Sequence, residues 1–523
     1  MAWVRVMVLA LLWAGQAAAQ TSVDDLRALI VSGYIPSVEA AVQAADAAPD
    51  MEFDAERALH PLFGESSPAM TAFLQHWLEV DPGSAPAMVA MGWHLYYAGL
   101  NMRGTEVAAH VWPAAMDIMM QDHQMAMTLA ERAIAADPSL VSASDLRLRL
   151  TVTLGRSDLV PIELERIMAL RPNRGSLMRG MGVLAPQWGG KPDQVRLLCE
   201  RYASKITSVP GYDAATCEID AVYFAGFWPG QQREEAHRLL EGNTNPVLDY
   251  ARLEDATAGR GTAQQRIALL EQTGVKSNLT VAQTYALAQA KSEVNDASWP
   301  AEKKRSEVLA RELALSHAAA DQDPYSPKVV INYLSFVYRA AYELGIPADR
   351  DDEVRRLHAL ISVVPYNPEA WAHLADMMNP NSYAPEVDLD AFAAAEPYFA
   401  NAIVYSNHDP HWINQSMMFK LGAILAPEDS SKTRDIDDLS PEERARLDAV
   451  IHCPLFRQIK IKQAICQSQG IGTDQCFADV LEFGSILQRL QQVLDQGACK
   501  TEVGLNGYDL AYSPIKITFP PAP

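Results

Sequence analysis

Apolar side chains recur at intervals of three and four residues along nearly every informative segment of the chain. This spacing places them on one face of an α-helix, whereas a half-buried β-strand needs strict alternation of apolar and polar residues. Long alternating segments are absent from the sequence, and short extended pieces are predicted only at residues 205–213 and 513–523. The pattern therefore predicts an all-α fold.

Proline-containing pairs interrupt the helical pattern repeatedly. Proline lacks a backbone donor and clashes with the preceding turn, so each pair predicts the end of one helix shortly before the next. The pairs are Asp81–Pro82, Asp137–Pro138, Arg171–Pro172, Asp323–Pro324, Asn367–Pro368 and Asp409–Pro410. Ser440, Pro441 and Glu443 have the pattern of a helix start with a capping box. Repeated helix–stop–helix units of this size indicate a solenoid of antiparallel helix pairs.

Small and aromatic residues on these helices resemble the packing positions of tetratricopeptide repeats. The matching residues are Ala126, Ala130, Ala133 and Pro138 in one second helix, Ala395, Phe399 and Ala402 in another, and Trp371, Leu374 and Ala375 in a first helix. Gly92 lies where such a repeat needs a residue small enough for two helices to approach closely. The resemblance implies a helical-repeat solenoid, although the spacing between Ala375 and Ala395 is too long for the repeat.

These patterns divide the chain into five predicted segments. They are a signal peptide at 1–19, an N-terminal helical repeat domain at 20–204, an irregular helical connecting region at 205–310, tetratricopeptide-like repeats at 311–430, and a cysteine-containing helical cap with a tail at 431–523.

A second resemblance covers residues 54–204. The segment is similar to an uncharacterised bacterial domain family of unknown function, which often accompanies such repeats. The residues that carry it are "FLQHWLEVDPGSAPA", Arg103–Gly104 with Trp112 downstream, and "RPNRGSLMRGMGVLAPQWGG", which ends in Pro186, Trp188, Gly189 and Gly190. The resemblance implies an all-helical fold and brings no known activity.

The N-terminus has the features of a secretory signal peptide. Arg5 precedes a short apolar stretch, and small residues reach Ala19, after which we expect cleavage. No later segment approaches the roughly 20 apolar residues of a transmembrane helix. The sequence thus predicts a periplasmic or secreted bacterial protein without a transmembrane segment.

The charge balance is strongly acidic. Against 65 acidic residues stand 43 basic ones, a formal net charge of −22. Such a surface repels nucleic-acid phosphates and anionic lipid headgroups. We therefore expect no nucleic-acid partner, and a protein or peptide partner with basic segments instead.

The six cysteines suit an oxidising compartment. They are Cys199, Cys217, Cys453, Cys466, Cys476 and Cys499. Their clustering predicts one disulfide between Cys199 and Cys217 and two among the last four, whose pairing stays open. The CxxC spacing of zinc-ribbon, thioredoxin-type and haem-attachment sites is absent.

The segment "APQWGGKPDQ", residues 185–194, is the best candidate for a phosphate-binding loop. Such a loop needs a first glycine and, after the lysine, a serine or threonine for magnesium. Ala185 and Pro192 occupy those two positions. The segment is therefore predicted to be a glycine turn, with Trp188 packed in the corner and Pro192 starting the next helix.

Methionines and histidines between Met88 and Met127 offer a possible metal site. Met116, Met120, His123 and Met127 share one helical face, and thioether and imidazole ligands suit Cu(I). Methionine is also an adaptable core residue, so packing against another helix is the preferred interpretation. His408 and His411, in "HDPHW", would need distant partners to bind a metal.

Motifs for catalysis are absent: the sequence contains no GxSxG elbow and no HExxH helix. We expect no cofactor and an exported helical-repeat protein that binds a protein partner without catalysing a reaction. Two alternatives stay open. One is a copper-handling protein that uses residues 88–127, and the other is an α/α-toroid enzyme acting on envelope polysaccharide, in which aromatics such as Trp228 stack on sugars.

Overall fold

A computed structural model describes residues 28–30, 33–47, 62–65, 67–104, 111–184, 191–225, 230–294, 301–378, 389–406, 409–424, 440–468 and 470–477. Within these ranges the regular secondary structure is helical and no strand occurs, which confirms the all-α prediction. None of the helices in these ranges is long and apolar enough to cross a membrane.

The α-helices are α1 (Ile35–Ala47), α2 (Pro68–Val80), α3 (Ala85–Arg103), α4 (Pro113–Ala136), α5 (Val141–Thr153), α6 (Val160–Leu170), α7 (Arg174–Val183), α8 (Pro192–Tyr202), α9 (Ala214–Ala225), α10 (Gly230–Gly242), α11 (Asp249–Thr257), α12 (Ala263–Lys276), α13 (Val281–Glu293), α14 (Ala301–Gln322), α15 (Pro327–Leu344), α16 (Arg350–Val363), α17 (Pro368–Met378), α18 (Leu389–Tyr405), α19 (Pro410–Ile424), α20 (Pro441–Leu447), α21 (Cys453–Ser468) and α22 (Thr473–Cys476). Short 3₁₀-helices span Ser157–Leu159, Ala203–Lys205 and Pro246–Leu248, and a π-helix spans Asp448–His452.

The extended piece predicted at residues 205–213 is wrong. The segment consists of turns, one of them closed by the Tyr212 N–H, which donates to the Val209 carbonyl at 3.2 Å. Gly211 adopts a φ of 68°, a left-handed conformation that a strand does not contain. Local turn bonds therefore override the β-propensity of the Ile, Thr and Val side chains. The other predicted piece, residues 513–523, lies outside the described residues.

The predicted start of α20 is confirmed. The Ser440 side chain accepts from the Glu443 N–H at 3.2 Å, the Glu443 side chain accepts from the Ser440 N–H at 2.9 Å, and Pro441 takes the first helical position. These two reciprocal bonds satisfy donors that a helix start otherwise leaves without a partner.

The proline pairs fall into two groups. The pairs that begin at positions 81, 137, 171 and 323 follow the ends of α2, α4, α6 and α14, as predicted. At Asn367–Pro368 and Asp409–Pro410 the preceding helices have already ended, at Val363 and Tyr405, and the proline opens the next helix. There the Asn367 side chain accepts from the Ala370 N–H at 2.8 Å, and the Asp409 side chain accepts from the His411 N–H at 2.7 Å. Proline is tolerated at the first helical position, where its missing donor costs nothing.

The chain groups into two compact units. The first takes its residues from 1–100, 118–323 and 335–347, and the second from 101–117, 324–334 and 348–523. The domain boundaries expected at 19, 204, 310 and 430 stay predictions.

Small residues let helices of the first unit approach closely. Ala126, Ala130 and Ala133 of α4 have no exposed surface. A β-carbon added at Gly92 of α3 would lie 2.4 Å from the Leu146 side chain of α5. Any larger residue at this position would therefore require the Leu146 side chain to move.

The core of the second unit includes the packing residues proposed for α17 and α18. Trp371, Leu374, Ala375, Ala395, Phe399 and Ala402 are all buried. The Trp371 ring lies 6.0 Å from the ring of Tyr398, and Phe399 lies 4.7 Å from Phe419 of α19. These contacts join α17, α18 and α19 through aromatic side chains.

Two disulfides are present among the described residues. Cys199 of α8 is bonded to Cys217 of α9, which confirms the predicted pair. Cys466 is bonded to Cys476, which settles one of the two pairs left open. Cys453 is also disulfide-bonded, and Cys499 lies outside the described residues. The cap therefore has at least one covalent link between α21 and α22.

A buried ion pair holds the middle of the first unit together. Arg174 donates two hydrogen bonds to the Asp220 carboxylate, each 2.6 Å long, and both side chains are buried. The hydroxyls of Tyr212 and Tyr250 also donate to this carboxylate, at 2.9 and 2.6 Å. Four charge-assisted bonds thus compensate for the removal of Asp220 from water.

Candidate functional site

The predicted methionine–histidine face of α4 does not present a uniform set of ligands. His123 and Met127 are buried, Met116 is partly buried, and the Met120 side chain is 37% exposed. Within the described ranges, no group of three His, Cys, Asp or Glu side chains is arranged to hold a metal ion.

Both ring nitrogens of His123 are engaged inside the protein. Nε2 lies 3.0 Å from the Tyr96 carbonyl oxygen and Nδ1 lies 2.7 Å from the Thr153 hydroxyl. The carbonyl can only accept, so Nε2 carries the proton and Nδ1 accepts from the hydroxyl. Burial lowers the pKa of His123, which keeps the ring neutral. This histidine therefore acts as a hydrogen-bonded core residue, and its geometry disfavours the copper alternative.

Acid should weaken the fold through His123. Its folded-state pKa lies below the ordinary value of 6.5, so the unfolded chain binds the proton more readily. The stability that the neutral ring provides is present above pH 6.5 and is lost as the pH falls below it. We expect the free energy of unfolding, measured in urea, to fall less between about pH 7.5 and pH 5 in His123→Asn than in the unchanged protein. Equal falls would contradict this assignment.

The structure describes only part of the family-like motif. Arg103 ends α3 and donates to the Gly104 carbonyl at 3.1 Å, and Gly104 adopts a φ of 75° that favours glycine. Pro186, Trp188, Gly189 and Gly190 lie outside the described residues. Pro192 takes the first position of α8, as predicted, and the Gln194 side chain accepts from the Lys191 N–H at 2.8 Å.

The structure describes only some of the other polar and aromatic candidates. His411 is exposed at the start of α19, while His408 and Trp228 lie outside the described residues. His237 of α10 binds Asp255 through Nδ1 at 2.5 Å, and its Nε2 lies 3.7 Å from Glu241. An imidazole between two carboxylates is an ion-pair arrangement, and these contacts do not place it beside a nucleophile.

A group of exposed tyrosines forms the most distinctive surface of the first unit. Tyr285 of α13 is 57% exposed, and Tyr338 and Tyr342, one turn apart on α15, are 74% and 85% exposed. We call these three residues the tyrosine face. The two α15 tyrosines have neither a hydrogen bond nor a ring contact within the described chain. Large aromatic side chains with such a high exposed fraction are typical of surfaces that bind other proteins.

Charged side chains connect Tyr285 to α15, the helix that carries the other two tyrosines. The Arg305 guanidinium of α14 lies 5.7 Å from the centre of the Tyr285 ring and 2.8 Å from the Glu343 carboxylate of α15. Arg339 reaches the same carboxylate at 3.4 Å. The cation–π contact and the Arg305–Glu343 ion pair link α13, α14 and α15.

Sequence reasoning missed the tyrosine face. Tyr338 and Tyr342 lie four residues apart, which places them on one side of a helix, beside the buried positions Val330, Leu334 and Val337. The spacing could have identified the pair. It does not show whether a neighbouring helix covers the rings, because that depends on residues distant in the chain.

Comparison with known proteins adds no identification: no family model and no curated protein matches the chain.

Proposed function

We propose that the chain is an exported helical-repeat protein whose function is to bind another protein, and that the tyrosine face is the binding surface. The observation that carries this proposal is the exposure of three tyrosines on α13 and α15, two helices linked through Arg305 and Glu343. Tyrosine supplies a large, rigid contact area at low entropic cost and is enriched at protein interfaces.

The partner segment that fits this surface is basic. The chain carries a net charge of −22, which attracts cationic proteins over several ångströms. The open faces of Tyr338 and Tyr342 can bind lysine or arginine side chains by cation–π contacts, as Tyr285 already binds Arg305. The acidity of the whole chain and the open tyrosine rings therefore favour a segment that contains Lys or Arg.

The proposed architecture and location rest on separate observations. The buried small and aromatic residues of α4, α17 and α18 support a tetratricopeptide-like repeat packing. The disulfides Cys199–Cys217 and Cys466–Cys476 support an oxidising compartment, as expected for a protein with a cleaved leader.

Replacing the two α15 tyrosines should weaken partner capture. In pull-downs from a periplasmic extract, we expect the Tyr338→Ala/Tyr342→Ala variant to retain roughly a tenth or less of the captured partner, since aromatic anchors cost about 2 kcal/mol or more on truncation. The bound proteins are identified by mass spectrometry.

Tyr34→Ala provides the control, because Tyr34 is 57% exposed in the same unit but belongs to α1's N-terminal flank. This variant should capture the partner as the unchanged protein does. Repeated failure to capture any specific protein, or equal capture by the double variant, would overturn the proposal.

A further inference from the structure

Two buried histidines connect four consecutive helices of the first unit through hydrogen bonds. His94 of α3 is 4% exposed, and His123 of α4 has no exposed surface. The Nδ1 atom of His94 lies 2.8 Å from the Phe63 carbonyl oxygen, and its Nε2 atom lies 2.9 Å from the Thr71 hydroxyl of α2. The two hydrogen bonds of His123 described above join α4 to α3 and to α5. The two imidazole rings therefore bridge α2, α3, α4 and α5.

These hydrogen bonds require both rings to be neutral. The Phe63 carbonyl can only accept, so Nδ1 of His94 carries the proton and Nε2 accepts from the Thr71 hydroxyl. His123 has the same arrangement with its two nitrogens exchanged: Nε2 donates to a carbonyl and Nδ1 accepts from the Thr153 hydroxyl. An imidazolium ring donates from both nitrogens and accepts at neither. Protonation of either ring therefore places two donors against each other at the threonine.

Close packing around the two rings limits their movement. A β-carbon added at Gly99 of α3 would lie 2.9 Å from Nε2 of His123. Beside Phe63, a β-carbon added at Gly64 would lie 2.5 Å from the Tyr97 ring of α3. Because the helices approach this closely and the rings are almost fully buried, a charged imidazole can reach water only if the helices separate.

A third buried histidine shows the contrasting arrangement. His452, in the π-helix of the second unit, lies with Nδ1 2.7 Å from the Asp448 carboxylate, which can compensate a positive charge on the ring. In the described part of the chain, His94 and His123 form hydrogen bonds only to carbonyl and hydroxyl oxygens. A proton on either of these two rings would therefore leave a buried charge without a counter-charge.

Neighbouring charged groups do not supply such a counter-charge. Those of the surrounding helices are paired with one another or at least partly exposed: Asp145 with Arg179, Arg147 with Glu163, Glu79 beside His76, and Arg103, Asp117, Glu131, Arg132 and Arg149. Glu65 is buried near Phe63 in the chain, and Asp122 precedes His123. Burial nevertheless lowers the pKa of both histidines, and only backbone carbonyls oppose the decrease. Burial raises the pKa of Asp122 to about 6, so this carboxyl loses its charge in the pH range where a histidine would gain one.

We propose that His94 and His123 form an acid-sensitive switch, which holds α2 to α5 together while both rings are neutral and releases the packing of these helices when both are protonated. The stability that the neutral rings provide is present above the ordinary histidine pKa of 6.5 and is lost as the pH falls below it. Release of the helices exposes an apolar surface that includes Trp77 of α2 and Trp93 of α3, both of which are buried in the closed form.

Hydrogen–deuterium exchange of the full chain, followed by mass spectrometry and expressed as protection factors, tests the proposal. Between about pH 7.5 and pH 5 we expect protection of α2 to α5 to fall about tenfold or more, because opening lets two histidines bind protons. Protection of α12 and α13, which contain no histidine, should stay the same. In His94→Asn/His123→Asn the fall in α2 to α5 should be less than about twofold. His76→Asn is the matched control, because it removes an exposed histidine of α2 and should leave the tenfold fall intact.

A second measurement uses the unchanged protein with ¹⁵N-labelled histidine side chains. At about pH 7.5 the imidazole signals should show a proton on Nδ1 of His94 and on Nε2 of His123, and both rings should become charged over the pH range in which α2 to α5 lose protection. An equal loss of protection in α12 and α13 would identify general acid unfolding and overturn the proposal. Unchanged protection of α2 to α5 at pH 5, or charged rings in fully protected helices, would overturn it as well.

Discussion

Asp220→Ala should lower the free energy of unfolding by about 3–5 kcal/mol, the largest effect that we expect from a single substitution. The change leaves the Arg174 guanidinium buried without its bidentate partner and leaves the hydroxyls of Tyr212 and Tyr250 without their acceptor. A buried cation that has lost its carboxylate pays its full desolvation cost. Unfolding in urea, followed by tryptophan fluorescence, measures the loss.

The exposed pair of Arg156 and Asp158, 3.3 Å apart, provides the control for this prediction. Asp158→Ala should cost less than about 1 kcal/mol, because water already screens both charges. The double variant Arg174→Met/Asp220→Leu should recover part of the loss seen in Asp220→Ala, since no charge is then left buried. A cost at Asp220 no larger than that at Asp158 would contradict the importance of the buried pair.

Removal of the Cys199–Cys217 disulfide should cost about 3 kcal/mol. The bond closes a loop with a sequence separation of 18 residues, and the entropy lost by constraining a loop of this length raises the free energy of the unfolded chain by about that much. Unfolding of Cys199→Ser/Cys217→Ser in guanidinium chloride, compared with the unchanged protein under non-reducing conditions, measures the effect.

Cys466→Ser/Cys476→Ser is the matching comparison, because that bond spans 10 residues and should cost slightly less. If both double variants lost less than about 1 kcal/mol, the disulfides would not constrain the unfolded chain as expected.

Local chemistry made several features predictable. The α20 start was predicted because Ser440, Pro441 and Glu443 interact within one turn. The pairing of Cys199 with Cys217 was predicted because the two cysteines are close in the chain and distant from the other four. The buried face of α4 followed from the spacing of its alanines.

Other features could not be read from the sequence. The role of proline in Asn367–Pro368 depends on whether the preceding helix has already ended; here α16 ends at Val363, and the Asn367 N–H donates to the Val364 carbonyl at 3.4 Å. Arg174 and Asp220 are 46 residues apart and meet only because α7 and α9 pack together. No sequence motif includes His373 or Asp376, and their burial depends on the surroundings of α17.

The amino-acid sequence by itself determined the helical class, an acidic surface, several helix ends and one disulfide, because periodicity, charge and short-range bonds act within a few residues. Tertiary structure alone decided that His123 is a bonded core residue, that three tyrosines remain uncovered and that His94 binds only uncharged oxygen atoms. Each of these outcomes depends on burial, and burial is set by side chains that are far apart in the chain and brought together only by packing of the helices.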